Sequence, residues 1–270
     1  MTDIKKDLSV PALVAAIEAN LFEWYRYLGR SPKAEFRDSL ELTWLLTGLP
    51  DSFVNAVFRT HADLDNIDQI IEETLARVRA SSVTTFSWWT EPDAQPEDLG
   101  KRLLAHGLVY TDGPPGMAAD LLELNEDLPA PTGLTIERVE DIETLKKWAY
   151  ASIIGFGLPE TYVDAWFDLF TGLEFHPQLR NYIGMLDGEP VSTTELFLAA
   201  GVAGIYVVTT VPNARRRGIG AGLTLAALRE ARAMGYRIGI LHSSSMGLGV
   251  YRRLGFQEYC RMSHYEWASQ

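Results

Sequence analysis

Where an apolar strand-like run ends, the segment Val208-Thr-Thr-Val-Pro-Asn-Ala-Arg-Arg-Arg-Gly-Ile-Gly-Ala-Gly222 sets three arginines and then three alternating glycines ahead of the helical sequence Leu223-Thr-Leu-Ala-Ala-Leu. Glycines let a backbone approach another group with no Cβ in the way. The first N–H groups of a helix have no intrahelical partner and lie at the positive end of its dipole. Such a turn is shaped to take an anion, and a phosphate suits it well. Arg215, Arg216 and Arg217 add positive charge in a chain whose formal net charge is -12. Two other phosphate-binding turns fit less well. The dinucleotide fingerprint has a different glycine spacing from this Gly-x-Gly-x-Gly, and this turn comes late in the chain, after several expected hairpins. The phosphate loop of nucleotide hydrolases needs Lys-Ser or Lys-Thr after its glycines, and neither follows here. A tight strand-to-helix turn with solvated arginines is the plain alternative.

A second segment, Ser244-Ser-Met-Gly-Leu-Gly-Val-Tyr-Arg-Arg-Leu-Gly-Phe256, lies a helix and a strand further on. Arg215-Arg-Arg-Gly-Ile-Gly220 resembles the (Gln/Arg)-x-x-Gly-x-(Gly/Ala) signature of the GNAT superfamily of N-acyltransferases. Ser244 to Phe256 is similar to that family's Asn-x-x-Ala-x-x-x-Tyr-x-x-x-Gly-Phe. Two motifs in order and on matching elements are more specific than either alone, and the resemblance runs from about Leu134 to the C-terminus. It implies acetyl-CoA as acyl donor, with the pyrophosphate on the amides of Gly218, Ile219, Gly220, Ala221 and Gly222 beside Arg215 to Arg217. It also implies that the strand Val208, Thr209, Thr210, Val211 meets the pantetheine arm, with an oxyanion-binding amide near Val208 or Thr209.

Acyl transfer to an amine needs a neutral amine, a stabilised oxyanion and a proton for the departing thiolate. Tyr251 matches the family tyrosine that protonates the sulfur; otherwise it is a core aromatic with its hydroxyl at the surface. Ser244 stands where the family often has Asn, and could bond pantetheine or a water, or cap the following helix. Glu195 lies mid-strand and could serve as general base, directly or through a water, or alternation could place it on a solvated face. His242 ends a strand and reads as an edge histidine. The residues suggest no metal site.

These residues need a scaffold. After a linker at Leu128-Pro-Ala-Pro-Thr-Gly133, the pattern predicts a strand at Leu134–Val139 and helices at Asp141–Ala149 and Pro159–Phe170. Strands follow at Tyr182–Leu186, Val191–Leu198 and Gly204–Val211, the first two joined by a tight Asp187-Gly188 turn. The glycine turn opens a helix to about Met234, then come a strand at Ile238–His242, a helix at Leu248–Leu254 and a strand at Tyr259–Trp267. Before the linker, helices are expected at Ser9–Leu28, Leu64–Ala80 and Pro96–Leu104, with strands at Val54–Arg59, Val83–Trp89 and Met117–Leu124. Leu99-Gly-Lys-Arg-Leu-Leu-Ala-His-Gly-Leu108 parallels Gly247 to Phe256. Each is a short helix with a Gly-apolar ending, each follows a strand, and a long helix precedes each strand.

The expected architecture is therefore α/β. A mixed, mainly antiparallel GNAT-type sheet flanked by helices forms a catalytic domain at 134–270, and a degenerate GNAT-like domain occupies 1–128. The expected reaction is N-acetylation of a primary amine on a small molecule or peptide. A non-catalytic acyl-CoA sensor and a protein-modifying acetyltransferase are the alternatives. With 36 acidic against 24 basic residues, the chain is a poor partner for nucleic acid or an anionic membrane. The start Met1-Thr-Asp-Ile-Lys-Lys-Asp has no apolar core for a leader. The longest uncharged stretch, Leu196–Asn213, carries Gly, Thr and Pro and reads as two strands and a turn. Cys260 is the one cysteine, which suits a reducing, cytoplasmic setting. A monomer is compatible with the sequence, which sets no oligomeric state.

Overall fold

The computed structural model describes residues 3–50, 52–90, 94–129, 131–173 and 175–269. Ala130 of the expected linker, and Met1 and Thr2 of the expected leaderless start, lie outside the described residues. Contacts group the chain into two compact units that do not follow a single cut along the sequence. One is Met1–Trp24 with Pro114–Cys260, and the other is Tyr25–Gly113 with Arg261–Gln270.

The first unit is built on strands β6 (Leu134–Arg138), β7 (Leu179–Leu186), β8 (Glu189–Ala199), β9 (Val202–Thr210) and β10 (Ile238–His242). Neighbours in that order pair antiparallel, except β9 and β10, which run parallel. Residues Gly116–Asp120 of strand β5 (Val109–Asp120) then add antiparallel to β10. The hairpin turns are of the type that matches strand twist. Asp187 and Gly188 have φ of 52° and 87°, and Ala200 and Gly201 have 52° and 78°.

Helices cover both faces of this sheet. Helix α4 (Ile142–Phe156) starts at Asp141, whose side chain accepts from the Thr144 N–H at 2.8 Å, and it is followed by α5 (Val163–Thr171). The single helix expected over Pro159–Phe170 is instead a short 3-10 turn at Glu160–Tyr162 running into α5. Helix α6 (Ile219–Ala233) joins β9 to β10, and α7 (Leu248–Leu254) follows β10. Leu196, Leu198, Ala203 and Ile205 of the sheet pack with Leu225 and Leu228 of α6 and Tyr251 and Leu254 of α7 in one buried cluster.

The second unit repeats this plan. Its strands β1 (Glu35–Asp38), β2 (Leu42–Leu46) and β3 (Ala56–Thr60) pair antiparallel in turn, β3 runs parallel to β4 (Thr85–Thr90), and β4 pairs antiparallel with Ser263–Ala268 of β11 (Gln257–Ala268). Helix α2 (Ile67–Arg79) joins the parallel pair, and α3 (Leu99–Ala105) follows it. Each unit therefore takes its final strand from the opposite half of the sequence. The strand after α3 closes the first unit, and the strand after α7 closes the second. β1 and β2 are elements the hydrophobic pattern did not reveal, because β2 is buried on both faces and has no alternation.

Candidate active site

The parallel pairing of β9 with β10 ends at Ile205 opposite Leu241, although β9 runs on to Thr210. Past that point the two strands separate. At the same level β9 slips against β8: Thr193 faces Thr209, but Glu195 faces Tyr206. The extra residue forms a bulge at Val207, which sits at φ 47°. A β-branched residue rarely adopts a left-handed backbone, and strain of this kind collects at functional positions. The bulge is anchored by Thr193, whose Oγ1 donates to the Val207 carbonyl at 2.8 Å.

The bulge decides which strand groups face the opening. The Val211 N–H donates to Val191 of β8 at 2.9 Å, and the Val211 carbonyl accepts from Ala214. Because main-chain groups alternate sides along a strand, Thr209 also faces β8, and its hydroxyl is engaged with Thr193 and the Ala151 carbonyl. Val208 and Thr210 therefore present their backbone toward the open side. Of the four strand residues expected to meet pantetheine, these two line the opening; Thr209 and Val211 are committed to β8.

The glycine turn closes the same end. Gly218 caps α6 at φ 83°, with no side-chain cap, and the first helical bond runs from Gly222 N–H to the Gly218 carbonyl at 3.0 Å. The amides of Ile219, Gly220 and Ala221 thus precede the helical ladder. A Cβ on Gly218 would lie 2.3 Å from the Pro129 carbonyl oxygen, so only glycine fits there. Gly220 faces Thr210 Oγ1 and Val208 Cγ1, and a Cβ there would lie 3.5 and 3.8 Å from them. The helix start is therefore beside the opening. Gly222 sits against Leu134 and Ile136, and Ile219 is buried in the small core with Leu223 and Val211.

The three arginines divide into two roles. Arg215 does not reach out to an anion: its Nε donates to the Thr210 carbonyl at 3.0 Å and its Nη2 to the Gly155 carbonyl at 2.9 Å. It ties the end of β9 to the end of α4. Close approach of α4 depends on Gly155, where a Cβ would fall 2.3 Å from Thr209 Oγ1. Arg216 (φ 61°) and Arg217 are exposed, and neither has an ion pair among the described residues. They are the two charges available at the turn.

Tyr251 of α7 is buried beside Phe256, ring centroids 6.0 Å apart, and packs in the cluster that holds Ile205 and Leu241, with Val208 against it. Burial pushes its phenol pKa up, so the hydroxyl keeps its proton throughout the physiological range. The Ser244 hydroxyl accepts from the Gly247 N–H at 3.2 Å, in the turn that leads into α7, whose N-cap residue is Gly247 rather than Ser244. The His242 ring nitrogens are shielded from solvent, and burial pushes the pKa down to about 4, so the ring is neutral.

Glu195 is not on a solvated face: it has no exposed surface. Its Oε1 accepts from Trp24 Nε1, while Oε2 has no hydrogen-bond partner among the described residues. Burial raises its pKa to about 8, against the smaller opposing pull of the Trp24 bond. Helix α1 (Val10–Leu28) supplies the cover. Trp24 stacks on Tyr206 at 4.8 Å, Tyr206 donates to Asn20 Oδ1 at 2.8 Å, and Asn20 Nδ2 donates to the Ala199 carbonyl at 2.9 Å. Glu195 is thus directly across from Tyr206, at the fork where β9 leaves β10. Asn20, Trp24 and Val207 are site residues the sequence did not flag. The first two lie more than 170 positions from their partners, and nothing in a run of valines marks the bulge.

Residues 180–259 match the family model described as an acetyltransferase (GNAT) domain. That stretch holds the forked strands, the bulge, the glycine turn and Tyr251. The chain carries a GNAT acetyltransferase domain. A comparison with curated proteins finds no match. Among solved structures, the chain is similar to a GCN5-related N-acetyltransferase from Kribbella flavida, with a TM-score of 0.65 and 22% identity over 93% of this chain and 95% of that one. It is also similar to a GCN5-related N-acetyltransferase from Sphaerobacter thermophilus (TM-score 0.59, 18% identity, 84% and 80% coverage). A tandem GNAT protein from the clavulanic acid biosynthesis pathway aligns over 92% of this chain and 94% of its own, with a TM-score of 0.54 and 15% identity. At these identities the likeness is one of fold, and it covers both units of the chain rather than the matched segment alone.

Proposed function

We propose that the first unit transfers an acetyl group from acetyl-CoA to a primary amine of a small molecule, and that the second unit is a degenerate copy without catalysis. The observation that carries the reading is the coincidence, at one fork, of the strained Val207 bulge, the uncapped glycine start of α6 and the buried Tyr251. The amides of Ile219, Gly220 and Ala221, with Arg216 and Arg217, suit a pyrophosphate. The open backbone of Val208 and the N–H of Thr210 suit the amide groups of a pantetheine arm, the Thr210 carbonyl being held by Arg215. An N–H at the bulge suits the carbonyl oxygen, where negative charge develops in the transition state.

The roles follow from the protonation states. The amine nitrogen attacks the thioester carbonyl carbon, forming the C–N bond. The proton it sheds goes to Glu195, directly or through a water, once the carboxyl is ionised. The C–S bond then breaks, and the neutral Tyr251 phenol protonates the departing thiolate; Tyr251 is restored from solvent. The sum is thioester plus neutral amine giving N-acetyl amide and free thiol, with the proton on Glu195 returned to solvent as Tyr251 regains its own; an ammonium would first lose one proton to solvent. A binding-only sensor would need no buried proton donor, and Tyr251 is the feature that favours an enzyme. Cys260 as the one cysteine suits a reducing compartment such as the cytoplasm. No helix among the described residues is long and apolar enough to cross a membrane.

Calorimetric titration of CoA into wild-type protein and Gly220→Asp tests the donor site. The aspartate adds bulk and a like charge at the phosphate seat, so CoA binding is expected to be lost. Undiminished binding in that variant removes the assignment. Thiol release from acetyl-CoA with an amine panel then tests turnover.

A further inference from the structure

The second unit lacks one strand of the plan it repeats. Strands β1 to β4 follow the order and directions of β7 to β10, but among the described residues β1 pairs only with β2 and stands at the sheet edge, with no counterpart of β6. In the first unit β6 lies beside the start of α6, where Leu134 and Ile136 meet Gly222. In the second unit one stripe of α2, at Ile70, Glu73, Thr74 and Arg77, lines a cleft of about 350 Å³ instead. Leu42 and Trp44 of β2, both buried, form its apolar floor. Ligand pockets commonly begin at about 300 Å³, so the space suits a small molecule.

Strand and helix directions place the charges. β1 is antiparallel to β2 and β2 to β3, so β1 runs with β3; α2 returns the chain between the parallel strands β3 and β4 and runs against them. Two residues of strand advance about 6.6 Å, as do roughly four residues of helix. A step from Glu35 to Arg37 along β1 therefore matches a step from Arg77 back to Glu73 along α2. At the first level the cleft is closed, because Arg77 donates to both carboxylate oxygens of Glu35. At the next level it is open. Arg37 stands directly opposite Trp44 and shares its face, and its guanidinium has no ion pair among the described residues, although Glu73 and Glu41 line the same cleft. Neither carboxylate meets a cation there; one oxygen of Glu73 accepts from Gln69 Nε2 at 2.8 Å, and one of Glu41 from Asn66 Nδ2 at 2.7 Å.

One cleft thus carries opposite charges that do not neutralise each other, above an apolar floor. A lone anion placed there meets two carboxylates, and a lone cation meets the guanidinium. A ligand with both signs satisfies both walls at once. An added peptide strand is disfavoured, because β1 is four residues long and carries Glu35, Arg37 and Asp38. We infer that the cleft binds a small zwitterion with an apolar body, an α-amino acid with a hydrophobic side chain. Its carboxylate meets Arg37, its ammonium meets Glu73 and Glu41, and its side chain lies on Trp44, Leu42 and Ile70. The site belongs to the second unit and does not depend on the acyl-transfer reading.

Calorimetry on the full chain with L-phenylalanine, phenethylamine and 3-phenylpropanoate tests it. The three share an aromatic body and carry both charges, the cation alone and the anion alone. Phenylalanine is expected to bind one to one and at least about tenfold tighter than either single-charge analogue. Arg37→Gln should bring phenylalanine down to the affinity of phenethylamine, and Glu73→Gln should bring it down toward that of 3-phenylpropanoate. Both positions are exposed, so thermal unfolding should show Tm within about 2 °C of wild type in each variant. No phenylalanine binding at millimolar concentration, or an analogue that binds as tightly, overturns the site. So does phenylalanine binding that both variants leave unchanged, since the amino acid then sits elsewhere on the chain.

Discussion

Glu195→Gln should change how stability depends on pH, and the size of the effect follows from burial. In the folded chain the carboxyl titrates at about 8, against an ordinary value of 4.5. Between those two values the folded state keeps a proton that the unfolded chain has lost. Unfolding then releases a proton, so wild-type stability falls as pH rises from about 4.5 to 8 and levels off above. Each pH unit in the middle of that window is worth about 1.4 kcal/mol, so the loss from pH 5 to pH 7 is about 3 kcal/mol. Glutamine keeps an oxygen to accept from Trp24 Nε1 but has no proton to lose. Its amide group would meet the unpartnered side of the seat, a fixed cost of about 1–3 kcal/mol that does not vary with pH. The informative quantity is therefore the slope, not the offset. Thermal unfolding of both proteins at pH 5, 6, 7 and 8 should show wild type losing roughly 5–10 °C relative to the variant across the series. Two curves that stay parallel from pH 5 to 8 would refute the buried, protonated carboxyl. The same titration bears on chemistry: if Glu195 accepts the amine proton, wild-type kcat/KM should rise with pH to a plateau above about 8, and the glutamine variant should lack that rise.

Tyr251→Phe should lower kcat by about a hundred- to ten-thousand-fold with acetyl-CoA affinity nearly intact, checked by steady-state kinetics and calorimetry; wild-type turnover would reduce Tyr251 to a packing residue. Replacing Arg216 and Arg217 by alanine should weaken CoA binding in a salt-dependent way and leave Tm within about 2 °C, since neither has an ion pair among the described residues. Arg215→Ala should instead lower Tm, because it releases the Thr210 and Gly155 carbonyls; the reverse pattern would mean the three arginines act as one cluster. Titration with CoA should give one site per chain, and a stoichiometry of two would show that the second unit kept its slot.

Local signals were legible in the sequence where one element explains them. The glycine turn, the Asp141 cap, the Asp187-Gly188 turn and the spacing of Tyr251 before Gly255-Phe256 all depend on neighbours a few positions away, and each stands in the structure as expected. What escaped depends on distant partners. Glu195 could be read as base or as a solvated residue because its cover comes from Trp24, on a helix at the other end of the chain. Arg215 could not be told from Arg216 by sequence, since the difference is a carbonyl of α4 that lies within reach. The grouping of contacts also escaped a linear reading, because strands that follow α3 and α7 each close the unit of the other half.

The second unit shows what the slot requires by what it lacks. Its strands repeat the order and directions of β7 to β10, and its α3 ends as α7 does: Leu108 N–H bonds the Leu103 carbonyl at 3.1 Å as Phe256 N–H bonds that of Tyr251 at 3.0 Å. Leu103 therefore stands where Tyr251 stands in the first unit. The parallel pair β3 and β4 also stops early, at Val57 opposite Trp88. There the gap is taken by the chain itself. Trp88 Nε1 donates to Thr60 Oγ1 at 3.0 Å, Gln95 N–H to the Thr60 carbonyl at 3.0 Å, and Ala62 N–H to the Gln95 carbonyl at 3.2 Å. These bonds use the backbone that a pantetheine arm would need. The entry to α2 has no glycine and carries Asp63, Asp65 and Asp68, negative charge at the end of a helix that would otherwise attract phosphate. Asp68 is moreover engaged by His106 and Arg102, which hold its carboxyl below its ordinary pKa and so keep that charge in place. Under the proposed reading, strand order alone would not make an acyl-CoA site: an open fork, an uncapped glycine helix start and a buried phenol are needed together, and among the described residues only the first unit combines them.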